Sequence, residues 1–180
     1  MLDEVRPGYT KRDAAVEAAG RFIDSLRSGD QAGVVSFNDM AVLDQGLTGD
    51  KVALHAALPR IVNRQFTRLD LGIQRAREEL AGARHNPGNR TVIILLTDGK
   101  ANPEPVETAV EEGRLAKASG VTLFVIGLGR PEHLDDQALR QIASRPEYYF
   151  QTPDAGALAA IYEEIARVIP CPPDEFWGRR

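Results

Sequence analysis

Apolar side chains recur at Ala15, Ala19, Phe22 and Leu26 with arginines and aspartates between them, and the pattern stops at Ser28-Gly29. Spacings of i, i+4, i+7 and i+11 place these residues on one stripe, so residues 13–28 are predicted to form an amphipathic helix. Val34-Val35-Ser36-Phe37 is a short β-branched and aromatic run, followed by Asn38-Asp39 and then by Ala41-Val42-Leu43. It reads as a strand, a tight turn and a short antiparallel edge strand. Thr48-Gly49-Asp50 supplies capping oxygens ahead of Leu54, Leu58 and Ile61, and Leu69, Ile73, Ala76 and Leu80 share one face before Gly82. Two further helices follow from that spacing.

Residues 91–96, TVIILL, show no polar alternation, which predicts a central parallel strand covered on both faces. Pro103 and Pro105 open a helix that Val106, Val110 and Ala116 carry to Ser119-Gly120. Residues 121–126, VTLFVI, form a second doubly buried strand, and a helix around residues 135–144 presents Leu139 and Ile142. Tyr148-Tyr149-Phe150 makes a short strand, and Asp154 caps a last helix with Leu158, Ile161, Ile165 and Val168 inward. Pro170-Cys171-Pro172-Pro173 cannot continue it, so the expectation is one domain over residues 1–170 with a tail at 171–180. Strands alternating with helices at this spacing predict a three-layer, doubly wound, mostly parallel α/β sheet. Ligands of such sheets bind beyond the carboxyl ends of the strands, so the polar residues just past each strand are the ones that matter.

Composition narrows the chemistry. The 180 residues carry 22 Lys plus Arg against 26 Asp plus Glu, a formal net charge of −4, and are 43% hydrophobic. That is enough apolar matter for a core, and it lacks the basic excess that phosphate binding needs, so nucleic acid is excluded as a partner. No window approaches a membrane span, and MLDEVRPGYTKRD has no apolar signal-peptide core. As written the chain reads as cytoplasmic, with a surface or exported location left open to any upstream segment. A lone Cys171 and the scattered His55, His85 and His133 exclude disulfide and zinc chemistry. Gly127-Leu128-Gly129 is followed by Arg130-Pro131-Glu132, which is no dinucleotide fingerprint, and no P-loop or G-x-S-x-G elbow is present.

One constellation remains, Thr97-Asp98-Gly99 at the exit of TVIILL. A carboxylate at the end of a buried strand needs a positive or N–H partner, and a hard cation such as Mg²⁺ is bound by such oxygens. Thr67, in the loop Gln65-Phe66-Thr67-Arg68, offers a hydroxyl of the same kind. The bland alternatives are that Asp98 caps its turn and that Thr67 starts the helix at Leu69. Arg75, Arg77, Glu78 and Glu79 read as a solvated face, Asn38, Asp39 and Asn102 as turn or loop residues, and the three histidines as exposed. Trp177 is expected to pack its ring on the body.

Seven segments in order carry a family resemblance: KRDAAVEAAGRFIDSL, GVVSFND, LTGDKVALHAAL, FTRLDLGIQRAREEL, TVIILLTDGKANP, VTLFVIGLG and YYFQTPDAGALAAIYEEIARVI. Over about residues 10–168 the chain resembles the von Willebrand factor type A, or integrin I-like, domain. The resemblance implies a Rossmann-like fold and a non-enzymatic, adhesive role in which a metal-ion-dependent adhesion site binds Mg²⁺ or Mn²⁺ and a protein partner lends an acidic side chain. That site takes a D-x-S-x-S run after the first strand, a threonine from a later loop and an aspartate after the fourth strand. Thr67 and Asp98 correspond to the last two. The D-x-S-x-S run is absent, and in relatives the threonine follows glycines where this chain has Gln65 and Phe66. Met1 aligns with the residue just after that run, so the resemblance implies that the first central strand is missing from this sequence; were the sequence complete, the expectation is a gap between Val34-Phe37 and TVIILL whose unpaired edges favour aggregation or complementation by another strand. The competing readings are a type A scaffold with no functional metal site and a hydrolase using Asp98.

Overall fold

The structure, a computed structural model, describes residues 4–62 and 65–169. The expected tail at 171–180 and Trp177 lie outside the described residues. A small hairpin comes first, β1 (Glu4–Arg6) against β2 (Tyr9–Thr10), with Gly8 at φ 72° between them. No strand was expected here, because two and three residues are too short to show alternation. Thr10 then opens α1 (Lys11–Ser25) through a capping box: its hydroxyl accepts from Asp13 N and the Asp13 carboxylate accepts from Thr10 N.

Two separate sheets follow. β3 (Ala32–Phe37) pairs antiparallel with β4 (Ala41–Thr48), and β5 (Val92–Thr97), β6 (Thr122–Leu128) and β7 (Tyr149–Thr152) form a parallel sheet in that order. The antiparallel strand is longer than the short one expected. Its second half, which holds Asp44, Gln45 and Gly46, pairs through register shifts near Val34, and Asp44 accepts from Ser36 N at 2.9 Å.

The helices fall where the apolar periodicity placed them. They are α2 (Lys51–Ala57, capped by Asp50), α3 (Leu69–Leu80), α4 (Val106–Ala118), α5 (Asp136–Ile142, capped by Asp135) and α6 (Leu158–Val168). Residues of α3, α4 and α5 pack on one face of the parallel sheet against Ile93, Leu95, Leu123 and Val125. On the other face α1 and α6 meet Phe124, Ile126 and Leu128. In α6 it is Tyr162 that turns inward beside Leu158 and Ile165, while Val168 is exposed, a correction to the expected stripe.

β6 is buried on both faces from Leu123 to Leu128, as its sequence predicts. β5 departs from the expectation of a strand covered on both faces. Ile93, Leu95 and Thr97 are buried, but Val92, Ile94 and Leu96, which face α1 and α6, are only half-buried. The reason is topological: among the described residues β6 flanks β5 on one side and no strand flanks it on the other.

Glu79 corrects a second expectation. It does not belong to a solvated face, for its side chain is only 6% exposed and receives Arg84 Nε at 2.7 Å, Arg84 Nη2 at 2.6 Å and the Leu47 amide at 2.8 Å. Arg77 likewise reaches across to Glu112 of α4 at 3.1 Å. No helix among the described residues is long and apolar enough to cross a membrane.

Candidate functional site

The carboxyl ends of β3 and β5 lie at one end of the molecule. Asn38, the residue after β3, accepts from Arg68 N at 3.0 Å, and its side-chain amide donates to Val62 O at 3.0 Å. Thr67 in turn pairs with Asn102 beyond β5 as an isolated antiparallel bridge, Thr67 N to Asn102 O at 3.0 Å and Asn102 N to Thr67 O at 3.2 Å. Asn102, read from sequence as a loop residue, therefore staples the loop before α3 to the loop after β5. No local pattern could show this, because the two strands of the bridge are single residues 35 positions apart.

Thr67 and Asp98 come to the same place. Asp98 sits half-buried in the bend after β5, and a Cβ built on its neighbour Gly99 would lie 3.7 Å from Thr67 Oγ1. The bend is fixed by Thr97, 2% exposed, whose hydroxyl donates to Gly99 O at 3.0 Å and accepts from Gly99 N at 3.4 Å. Both Thr67 and Asp98 line the mouth of the cleft between β3 and β5. A hydroxyl and a carboxylate are the hard oxygen donors that Mg²⁺ takes, but two side chains fill two of its roughly six positions. Among the described residues there is no group of three or more His, Cys, Asp or Glu that could hold a metal ion. His85 stands at the opposite end of β5, where its ring meets Asn89 O at 3.3 Å, so it cannot serve Asp98 as an acid–base partner.

Electrostatics at this end depend on Arg68. Its guanidinium takes the Asp70 carboxylate in two-pronged fashion, Nε to Oδ1 at 2.9 Å and Nη2 to Oδ2 at 2.7 Å, with both side chains largely covered. Hydrogen bonding to Arg68 holds the Asp70 carboxyl below its usual range against the opposing effect of burial. The pair neutralises a cation that would otherwise stand unscreened next to Thr67.

Phe66 explains how this chain manages without glycine before Thr67. It adopts φ 71°, the left-handed region that glycine enters freely and a bulky residue enters only under strain. Phe66→Gly and Phe66→Ala both delete the half-exposed ring. The glycine variant is expected to be the more stable of the two by about 1 kcal/mol, the reverse of the order at an ordinary loop or helix position. Urea unfolding of both checks this, and an alanine variant as stable as the glycine one would contradict the strained backbone. Phe66, Val62 and Met40 are all about half-exposed or more, and the bonds of Asn38 and Thr67 gather their backbones around this end.

A family model described as the von Willebrand factor type A domain matches residues 6–164. The chain belongs to that family. Type A domains are protein-interaction modules, and the relatives of this one are diverse. It is 38% identical over 80 residues to matrilin-1 of Mus musculus, which covers 44% of this chain and 15% of that protein. It is 27% identical over 196 aligned positions to a UPF0353 protein of Nocardia farcinica, covering 89% of this chain and 57% of that protein. The type A chain thus spans between about a seventh and somewhat over half of these relatives. Proximal thread matrix protein 1 of the mussel byssus superposes with a TM-score of 0.78 at 25% identity, covering 93% of this chain and 42% of that one. A structure of the same mussel protein with a zinc-occupied metal-ion-dependent adhesion site superposes at 0.74 with 26% identity, covering 87% of this chain and 42% of that one.

Proposed function

We propose that this type A domain binds a protein partner through the end of the molecule that carries Thr67 and Asp98, by way of a divalent cation, Mg²⁺ or Mn²⁺. The observation that carries the reading is that separate loops bring the Thr67 hydroxyl and the bend at Asp98 and Gly99 together, beside a guanidinium already neutralised by Asp70. Thr67 and Asp98 would supply two oxygens, and an acidic side chain of the partner would supply another, leaving the remaining positions to water. The cation's chemistry is to accept that carboxylate in a direct bond. The rim of Met40, Val62 and Phe66 adds apolar area of the kind that anchors protein interfaces. The reading is a non-enzymatic one, in keeping with a family of protein-interaction modules.

Metal binding by this chain is expected to be weak and to depend on both residues. Titration with Mn²⁺, followed by its electron paramagnetic resonance, should show a single site lost in Asp98→Ala and weakened about tenfold in Thr67→Ala. Partner binding should fall with EDTA in step with that site. That the reading rests on two such donors among the described residues favours a second one, a scaffold that binds partners through other surfaces. Affinity for a partner unchanged by EDTA and by Asp98→Ala would decide for it.

A further inference from the structure

Asp98 is followed by Gly99, and among the aspartates and asparagines of the chain it is the only one followed by glycine. Gly99 is not there for its backbone. Its φ lies outside the left-handed region that Gly8, Gly29, Gly120 and Gly129 occupy. A Cβ built on it would meet, among the described residues, only Thr67 Oγ1 at 3.7 Å, an ordinary contact. Alanine therefore fits at this position without strain. What glycine supplies instead is an amide nitrogen with no side chain to shield it.

That nitrogen is loosely held. The parallel ladder of β5 with β6 ends at Thr97, so the Gly99 N–H takes no part in it. Among the described residues its hydrogen bond runs to Thr97 Oγ1 at 3.4 Å, beyond the usual range, while the same hydroxyl donates to Gly99 O at 3.0 Å. Thr97 is 2% exposed, so its hydroxyl keeps its place and restrains the peptide plane between Asp98 and Gly99 from turning. Asp98 itself sits in a bend, half-buried, outside helix and ladder alike.

We propose that Asp98-Gly99 is a site of spontaneous isomerisation to isoaspartate, at a rate set by the Thr97 hydroxyl. The Gly99 nitrogen attacks Cγ of the Asp98 carboxyl, and a C–N bond forms there. The N–H proton and the carboxyl OH leave together as water, which closes a succinimide ring. Water then adds at the main-chain carbonyl of Asp98 and breaks its bond to the Gly99 nitrogen. The main chain now runs through Cγ, and the free carboxylate stands on Cα. No oxidant, reductant or second substrate enters, since the water lost in the first step is regained in the second. The backbone is longer by one methylene, and the carboxylate oxygens are displaced from the bend beside Thr67. Loss of a cation ligand is then the consequence for partner binding; that consequence rests on the proposed function, whereas the isomerisation does not.

The test holds the 180-residue chain at neutral pH and physiological temperature and digests it at intervals. Electron-transfer mass spectrometry of the peptides tells isoaspartate from aspartate. Isoaspartate is expected to accumulate at residue 98 at least about tenfold faster than at any other aspartate, and Gly99→Ala should slow it by about tenfold. Thr97→Val should speed it by about fivefold, as the loss of one weak hydrogen bond allows, and Thr97→Ser should restore the parent rate. Accumulation at residue 98 no faster than elsewhere would overturn the proposal, as would a Gly99→Ala chain that isomerises like the parent or a folded Thr97→Val chain at the parent rate. Should Thr97→Val fail to fold, Gly99→Ala decides by itself. Electron paramagnetic resonance of Mn²⁺ with fresh and aged chain separates the two readings. A site that fades in step with isoaspartate supports both. Isoaspartate at residue 98 in a chain that binds no Mn²⁺ when fresh supports the isomerisation and overturns the cation reading.

Discussion

Phe124→Ala is expected to destabilise the domain by about 3–5 kcal/mol, enough to lower its thermal midpoint by roughly 10 °C. Phe124 is fully buried in β6, its ring 4.3 Å from that of Tyr148, in the cluster formed with α1 and α6. Truncation there removes a large apolar volume that neighbours on every side cannot collapse to fill. Ile94→Ala, one strand away on the same face, is expected to cost about 1–2 kcal/mol, because the isoleucine borders the cleft and gives up only partial burial. Urea unfolding of the two variants measures the difference. Equal costs would mean that the cleft is closed in solution.

Glu79→Ala is expected to cost about 3 kcal/mol, because its carboxylate is buried and fully engaged. The loss has two parts: the bidentate bond with Arg84 and the Leu47 amide left without its acceptor. Gly46 of β4 makes the room, for a Cβ there would stand 2.7 Å from Arg84 Nε. The same site sets a pH dependence. Hydrogen bonds from Arg84 first, then the Leu47 N–H, hold the Glu79 carboxyl down to about 2, against burial, which acts to raise it. A carboxyl depressed on folding stabilises the native state above its unfolded pKa of about 4.3 and loses that contribution as pH falls toward 2. On the order of 2–3 kcal/mol should therefore disappear across that window, since Arg84 remains open to water. Unfolding free energy measured from pH 6 to pH 2.5 should fall more steeply in the parent than in Glu79→Gln. Parallel slopes would show that Glu79 does not carry the effect.

The helices and the two strongest strands were legible because their signal is local. Leu69, Ile73, Ala76 and Leu80 repeat at helical spacing, and VTLFVI has no alternation to lose. Asp50 and Asp154 were readable as caps for the same reason, each bonding amides two or three residues on. The stripe of Ala15, Ala19, Phe22 and Leu26 was equally visible, but its surroundings were not. Those residues border the cleft, while Ala14, Ala18 and Ile23 take the buried positions of α1. Glu79 looked like its charged neighbours because sequence spacing does not show that Arg84 and the Leu47 amide converge on it.

The sequence by itself determined the order of the elements, the α/β class and the family, since these rest on periodicity, caps and motif order within single segments. It also marked Thr67 and Asp98 as the oxygens to watch. Only the tertiary structure decided that the loops carrying them are stapled through Asn102, that Phe66 takes a glycine-like backbone, and that Arg84 and the Leu47 amide converge on Glu79. Each of these depends on pairs of groups far apart along the chain, whose hydrogen bonds and burial exist only once the layers have packed.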